Sequence, residues 1–271
     1  MIKYSRLIGS KDGKILVSNF LYLTLMQVAG FIFPLLTLPY LAKIIGTNGF
    51  GRIAFASAVI IWLQTISDWG FNYTATRNIA RNRDDKQIVS KIFSSVFWAR
   101  CVLMIFSLFL LVLLFCIISE FKENADIILV TFLMIPGNIM FSEWFFQGIE
   151  KMKYITFLNL LAKFFFTICI FLFVKDKDDY ILQPLFVSLG FISSGFIALY
   201  IILFRWEIQL TRPVWTDIRK TIKDSTNVFI NNLMPNMYNS MATILLGFFL
   251  VKLWLAFIHQ EKISYQFLIQ C

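Results

Sequence analysis

The sequence predicts an all-α protein, a polytopic transmembrane helix bundle of about seven spanning helices. Hydrophobic residues make up 58% of the 271 residues and charged residues only 15%, whereas soluble domains carry about 25% charged residues. Apolar runs of about 20 residues recur along the chain, and this is the length that crosses a ~30 Å hydrocarbon core. Most charges lie between these runs. Lipid is therefore the expected solvent for the apolar surface.

Seven spans follow from the apolar runs, and the first of them is expected to bend at Pro34 and Pro39. The predicted spans are residues 15–42, 53–73, 92–118, 127–146, 154–174, 180–204 and 228–251. Beyond the seventh span, the remaining apolar runs are too short to cross a bilayer.

Lys and Arg residues are distributed unequally between alternate loops. With the N-terminus in the cytoplasm, 16 of the 25 Lys and Arg residues lie in cytoplasmic segments and 5 in the opposite loops. An excess of these residues marks cytoplasmic loops. The sequence thus predicts a cytoplasmic N-terminus. The net charge of +9 is explained by this bias, and no nucleic acid partner is expected.

The longest polar segment, residues 205–227, alternates Trp and Ile residues with charges. We expect it to lie along the membrane surface, either as an interfacial segment that joins two helix bundles or as a solvated linker. The predicted units are an N-terminal bundle of six helices (1–204), this cytoplasmic interfacial linker (205–227), the first helix of a second bundle (228–251) and a divergent tail (252–271).

The sequence does not predict an enzyme. A single histidine, His259, cannot form a two-histidine zinc motif, and no Cys-x-x-Cys pair is present. Gly9 to Lys14 lacks the glycine spacing and the following hydroxyl residue of a phosphate-binding loop. We therefore expect no catalytic residue, no metal and no cofactor.

Four ionisable residues lie inside predicted spans, where a charge costs several kcal/mol unless it faces protein or water. They are Asp68, Arg100, Glu143 and Lys163. Each lies about 12–13 Å along its helix from the cytoplasmic end. One interpretation is a shared charged vestibule in the cytoplasmic half of the bundle. The alternatives are two ion pairs, Asp68 with Arg100 and Glu143 with Lys163, or basic side chains that extend to the headgroups.

Two further groups of polar residues are candidates for a cavity wall. Asn232, Asn236 and Asn239 share one face of the seventh span. They form either a hydrogen-bonding seam between helices or a wall that contacts sugars. Arg77 follows the second span, in a segment that contains aromatic residues and a glycine. The alternative interpretation of this segment is an aromatic belt.

Three blocks of sequence, which occur in a particular order along the chain, resemble those of a known protein family. They are residues 34–41 with Gly46 and Phe50-Gly51, residues 70–72 with Ala75-Thr76 and Ile79-Ala80, and residues 144–148 with 150–153. Over residues 15–250 the chain resembles the O-antigen flippases, in the polysaccharide-transporter branch of the multidrug/oligosaccharidyl-lipid/polysaccharide exporter superfamily.

The resemblance implies that the protein moves undecaprenyl-diphosphate-linked O-antigen units from the cytoplasmic to the periplasmic leaflet of the bacterial inner membrane. It implies a central cationic cavity that opens alternately, in which basic residues suit the diphosphate. The implied partners are this lipid-linked oligosaccharide, membrane lipids, O-antigen polymerase and glycosyltransferases. The alternatives are a cation-coupled multidrug exporter of the same superfamily and a non-transporting membrane scaffold for polysaccharide assembly.

The chain departs from the resemblance in length, because members of that family usually have two similar helix bundles. We therefore expect a C-terminally truncated product that contains the first lobe of six helices and one helix of the second. Residues after about Leu250 are expected to be out of frame, and transport would be impaired.

Overall fold

The computed structural model describes residues 11–231 and residue 233. The regular elements in this part of the chain are helices, and it contains no strand. Five helices among these residues are long and apolar enough to cross a membrane. The protein is an all-α polytopic helix bundle, which confirms the predicted fold class.

The helices follow one another with short connections. They are α1 (Lys11–Asp68), α2 (Phe71–Arg81), α3 (Lys86–Ile117), α4 (Ser119–Glu123), α5 (Ala125–Phe132), α6 (Met134–Phe141), α7 (Glu143–Gly148), α8 (Met152–Phe173) and α9 (Leu182–Tyr200). A 3₁₀ turn (Lys177–Ile181) precedes α9 and a π turn (Ile201–Arg205) follows it. Residues 215–231 form α10.

Helix α1 contains the first two predicted spans. Its 58 residues would extend about 87 Å as one helix, nearly three times the thickness of a hydrocarbon core. Gly46, with φ 70° and ψ −178°, has non-helical dihedral angles inside it. Glycine adopts such a conformation without steric cost. The break therefore lies at Gly46, while Pro34 and Pro39 stay within regular helix.

Contacts between the helices give their relative directions. The pairs are Tyr22–Thr156 and Tyr40–Val174 (α1 with α8), Leu63–Ser107 and Asp68–Arg100 (α1 with α3), Asn138–Arg100 and Trp144–Phe93 (α6 and α7 with α3), and Glu143–Asn159 and Phe146–Tyr154 (α7 with α8). The first half of α1 is parallel to α8. Its second half is antiparallel to α3, and both α3 and α8 are antiparallel to α7. Helices α3 and α8 therefore run in the same direction. Since the first half of α1 is parallel to α8 and the second half is antiparallel to α3, the two halves of α1 run in opposite directions.

The fourth predicted span, residues 127–146, consists of the three short helices α5, α6 and α7 rather than one continuous helix. The break between α6 and α7 lies at Ser142, which has a positive φ of 45°. A non-glycine residue in this conformation costs about 1–3 kcal/mol, which the surrounding structure must offset. The buried Ser142 hydroxyl donates to the carbonyl oxygen of Ile139 at 2.8 Å. Glu143 follows directly as the first residue of α7.

The second predicted span ends earlier than expected, because α1 stops at Asp68. Trp69 and Gly70 have positive φ angles of 40° and 75°, and they turn the chain into α2. The Trp69 ring stacks on Phe229 of α10 with 4.0 Å between ring centroids. A Cβ atom on Gly70 would lie 2.9 Å from the backbone nitrogen of Phe229. This corner therefore requires glycine both for its φ angle and for the close approach of α10.

Residues 207–214, which we name the strap, lie against the first part of α3. The Ser94 hydroxyl donates to the carbonyl oxygen of Gln209 at 3.1 Å and accepts from the Thr211 backbone N–H at 2.9 Å. The Trp98 indole N–H donates to the carbonyl oxygen of Thr211 at 3.0 Å. These bonds follow one face of α3, because Ser94 and Trp98 are four residues apart.

The division of the chain into domains stays a prediction.

The strap also carries an exposed ion pair at its first residue. Lys86 donates to Glu207 at 2.5 Å, and this hydrogen bond and the lysine charge lower the pKa of the Glu207 carboxyl. Both side chains are more than half exposed, so the pair contributes little to stability. The buried Ser94 hydroxyl is the stronger anchor of the strap.

Candidate functional site

Arg100 is the most deeply buried of the four predicted intramembrane charges, with only 4% of its surface exposed. Its Nη2 donates to Oδ1 of Asp68, and its Nη1 donates to the carbonyl oxygen of Asn138 at 3.4 Å. Its Nε is buried without a hydrogen-bond partner. The guanidinium therefore has one ionic partner, and its Nε–H has no hydrogen-bond acceptor.

Three helix segments bring these groups together. Asp68 is the last residue of α1, and Arg100 lies near the middle of α3. Asn138 lies in the last turn of α6, and its carbonyl oxygen also accepts from the Ser142 backbone N–H at 3.4 Å. The Ser67 hydroxyl donates to the backbone oxygen of Arg100 at 3.5 Å, which further ties α1 to α3. The ion pair thus depends on where α1 and α6 end.

Glu143 takes a hydrogen bond from an amide rather than from a lysine. The Asn159 amide of α8 donates to Oε1 of Glu143 at 3.0 Å. The same amide group also donates to the carbonyl oxygen of Ile155 at 3.2 Å. Glu143 interacts electrostatically with the other three charges of the group. Its carboxylate therefore links the Asp68–Arg100 pair to the lysine on α8.

Lys163 lies beside the first half of α1. A Cβ atom placed on Gly30 would lie 3.5 Å from the lysine Nζ, an ordinary contact distance, so the ammonium group lies close to the backbone of α1. Lys163 interacts electrostatically with Glu143. Within residues 11–231, however, no carboxylate lies within 4 Å of it. The predicted Asp68–Arg100 pair is thus present, and the predicted direct pair between Glu143 and Lys163 is absent.

We name Asp68, Arg100, Glu143 and Lys163 the charge layer. Two acids and two bases balance one another, which lowers the cost of placing them inside the membrane. The unpartnered Nε of Arg100 and the ammonium of Lys163 retain donors for an anionic group. An anion that binds there would also compete with Asp68 for the guanidinium of Arg100. The arrangement is suited to reversible binding of a negatively charged headgroup.

The other predicted site residues are not in contact with the charge layer. Arg77 is exposed on α2 and lines a separate groove. Asn232, Asn236 and Asn239 lie outside the described residues, as does the tail, residues 252–271. Their roles stay predictions.

Sequence reasoning missed the neutral partners of the charges. Asn159 and Asn138 are amides inside apolar spans, and a buried amide requires hydrogen-bond partners. That signal could have marked Asn159, but not Asn138, which contacts Arg100 through its backbone carbonyl while its side-chain amide donates to Met134. The proximity of Gly30 to Lys163 has no comparable signal in the sequence, because it follows only from the packing of α8 against α1.

The fold and the charge layer define a multi-pass membrane protein with ionisable groups at membrane depth. Residues 16–254 match the family described as polysaccharide biosynthesis protein. This match covers most of the chain, and the chain belongs to this family.

Two curated relatives carry the name "Putative O-antigen transporter". The protein from Escherichia coli strain K12 is 31% identical over 230 residues, which are 85% of this chain and 55% of the relative. The protein from Shigella dysenteriae is 27% identical over 231 residues, which are 85% of this chain and 58% of the relative. The chain thus spans little more than half the length of these relatives. No solved structure matches it.

Proposed function

We propose that this chain acts in the translocation of undecaprenyl-diphosphate-linked O-antigen repeat units from the cytoplasmic to the periplasmic leaflet of the bacterial inner membrane. The family and the names of the two relatives support a role in O-antigen transport. The observation that carries the proposal is the buried Arg100 with an unpartnered Nε. In this proposal the protein is a transporter and not an enzyme.

The chemistry of the substrate agrees with the charge layer. A lipid diphosphate carries negative charge that must pass an apolar core, which requires cationic donors at membrane depth. Arg binds phosphate groups through two or more N–H donors in a planar fork. As the diphosphate approaches, it replaces Asp68 as the partner of Arg100. When the headgroup leaves, Asp68 binds Arg100 again.

Complementation tests the proposed function. The full chain is expressed in a strain that lacks its O-antigen flippase, and surface O-antigen is measured by gel and by antibody. A second arm replaces the matched half of the Escherichia coli relative with residues 16–231 of this chain. We expect at least one arm to restore surface O-antigen. The accumulated lipid-linked repeat units should fall in the same arm.

Two variants test whether the restored O-antigen depends on Arg100. Arg100→Gln should abolish the restored O-antigen, whereas Arg81→Gln, at an exposed position of α2, should retain it at equal membrane abundance. Failure of both arms, with each protein present in the membrane, would overturn the proposed function. Restoration of drug resistance without O-antigen would instead indicate a multidrug exporter.

A further inference from the structure

A groove lies between α2, the first part of α3 and α10, with a volume of about 830 Å³. We name it the basic groove. Its charged lining residues are Arg77, Lys91, Lys220, Lys223, Asp217 and Asp224. Its cations belong to the two segments with the most Lys and Arg residues, 74–91 and 205–227, which are predicted to be cytoplasmic. The groove is separate from the charge layer, since none of the four charges in that layer lines it.

The cations of the basic groove are incompletely neutralised. Lys91 pairs with Asp217 at 3.3 Å. Arg77, Lys220 and Lys223 have neither an ion pair nor a side-chain hydrogen bond with any residue that the structure describes. Among the other basic residues that the structure describes, four form ion pairs: Arg52 with Asp126, Arg83 with Glu150, Lys86 with Glu207 and Arg100 with Asp68. Only Asp224 remains to balance three cations.

The walls of the groove are held in place by contacts between α2 and α10. The hydroxyl groups of Thr74 and Ser225 are 2.7 Å apart and share a hydrogen bond in a buried position. The Trp69 indole N–H donates to the Thr226 hydroxyl at 3.3 Å. These contacts fix α10 against the corner between α1 and α2. The cations on the two helices therefore face a preformed space.

We infer that the basic groove binds the phosphate groups of a membrane lipid headgroup at the cytoplasmic surface, as a site distinct from the charge layer. Lys and Arg from two helices would donate charge-assisted hydrogen bonds to phosphate oxygens. The phosphate belongs either to a polyprenyl diphosphate, which rests on the function proposed above, or to a bulk anionic lipid such as phosphatidylglycerol. In the first case the groove captures the substrate headgroup before it enters the charge layer.

Binding to the full chain in nanodiscs of neutral phosphatidylcholine tests the inference. The probes are undecaprenyl diphosphate and phosphatidylglycerol, and native mass spectrometry counts the bound lipids at increasing probe concentration. The test variant is Arg77→Gln/Lys223→Gln. The matched control is Arg81→Gln/Arg219→Gln, which removes the same two charges from α2 and α10 at exposed positions outside the groove.

We expect the test variant to bind at least one probe about tenfold more weakly, and the control to stay within about twofold of the unaltered chain. Weakened binding of the diphosphate alone identifies the substrate headgroup as the ligand. Weakened binding of phosphatidylglycerol, alone or together with the diphosphate, identifies a general lipid-phosphate site. Unchanged binding in the test variant, or an equal loss in the control, would overturn the inference.

This measurement is independent of transport. If complementation fails but groove-dependent binding is found, the proposed function is wrong and the groove remains a lipid site. If complementation succeeds and binding does not depend on the groove, the inference alone is wrong.

Discussion

Arg100 donates to the carboxylate of Asp68 at the point where α1 ends, and only 4% of the arginine surface is exposed. This pair joins the second half of α1 to the middle of α3. The neighbouring Glu143 and Lys163 complete a group with no net charge. The pair therefore has two expected roles, one in stability and one in binding an anion, and variants can separate them.

The stability role predicts a strong difference between single and double substitutions. Asp68→Asn leaves the Arg100 charge buried without its partner, which costs about 3–5 kcal/mol. The double variant Asp68→Asn/Arg100→Gln removes both charges and should be clearly more stable than Asp68→Asn. Thermal unfolding in detergent measures both. As a control, Arg83→Gln breaks an exposed pair with Glu150 and should cost at most about 1 kcal/mol. A double variant as unstable as Asp68→Asn would contradict this role.

Close packing of α6 against α9 gives a second prediction. A Cβ atom on Gly137 would lie 2.7 Å from the backbone nitrogen of Ile192 and 2.7 Å from the carbonyl carbon of Phe191. Backbone atoms cannot move aside as a flexible side chain can. Gly137→Ala should therefore separate the helices and destabilise the bundle by about 1–3 kcal/mol, seen as a lower midpoint of thermal unfolding.

Gly51→Ala is the matched control for this substitution, because nothing lies within 4 Å of a Cβ atom there. Alanine is the better helix former by about 1 kcal/mol, so this variant should be neutral or slightly more stable. Equal destabilisation by both substitutions would show that α6 and α9 do not pack closely.

The strap gives a third prediction. The buried Ser94 hydroxyl makes hydrogen bonds with two backbone groups of the strap, the carbonyl oxygen of Gln209 and the N–H of Thr211. Ser94→Ala should therefore release residues 207–214 from α3. Lys86→Ala removes only an exposed ion pair and should have a smaller effect. The rate of hydrogen exchange at the Gln209 backbone amide, which donates to the Ser90 hydroxyl at 3.1 Å, measures release of the strap. Faster exchange in Lys86→Ala than in Ser94→Ala would mean that the ion pair, not the Ser94 hydroxyl, holds the strap.

The sequence was sufficient to predict the helical class and the approximate positions of the described spans. These features depend on local apolar length and on the rise of 1.5 Å per residue. Equal distances from the predicted cytoplasmic ends gave the Asp68–Arg100 pair as one alternative, and the structure contains it. The same argument also gave a Glu143–Lys163 pair, which is absent from the described residues, so spacing along the helices was not sufficient to identify the partners.

Other features depend on contacts that spacing cannot predict. Glu143 bonds to Asn159 rather than to Lys163, which lies one turn further along the same face of α8, so the choice depends on how far α8 is displaced along its axis. Ser142 has a positive φ that interrupts an apolar run which is otherwise continuous in sequence. The strap binds α3 through Ser94, a residue that sequence pattern alone treats as an ordinary helix position. The role of the charge layer in transport stays a prediction.

Transport by the double variant Asp68→Asn/Arg100→Gln tests the central claim most directly. It is expressed in the strain that lacks its O-antigen flippase, in whichever arm restores O-antigen, and compared with the unaltered sequence at equal membrane abundance. We expect a folded protein and at least a tenfold loss of surface O-antigen, because the guanidinium that binds the diphosphate is gone. Surface O-antigen at the unaltered level would contradict the account, since Arg100 would then serve the fold alone.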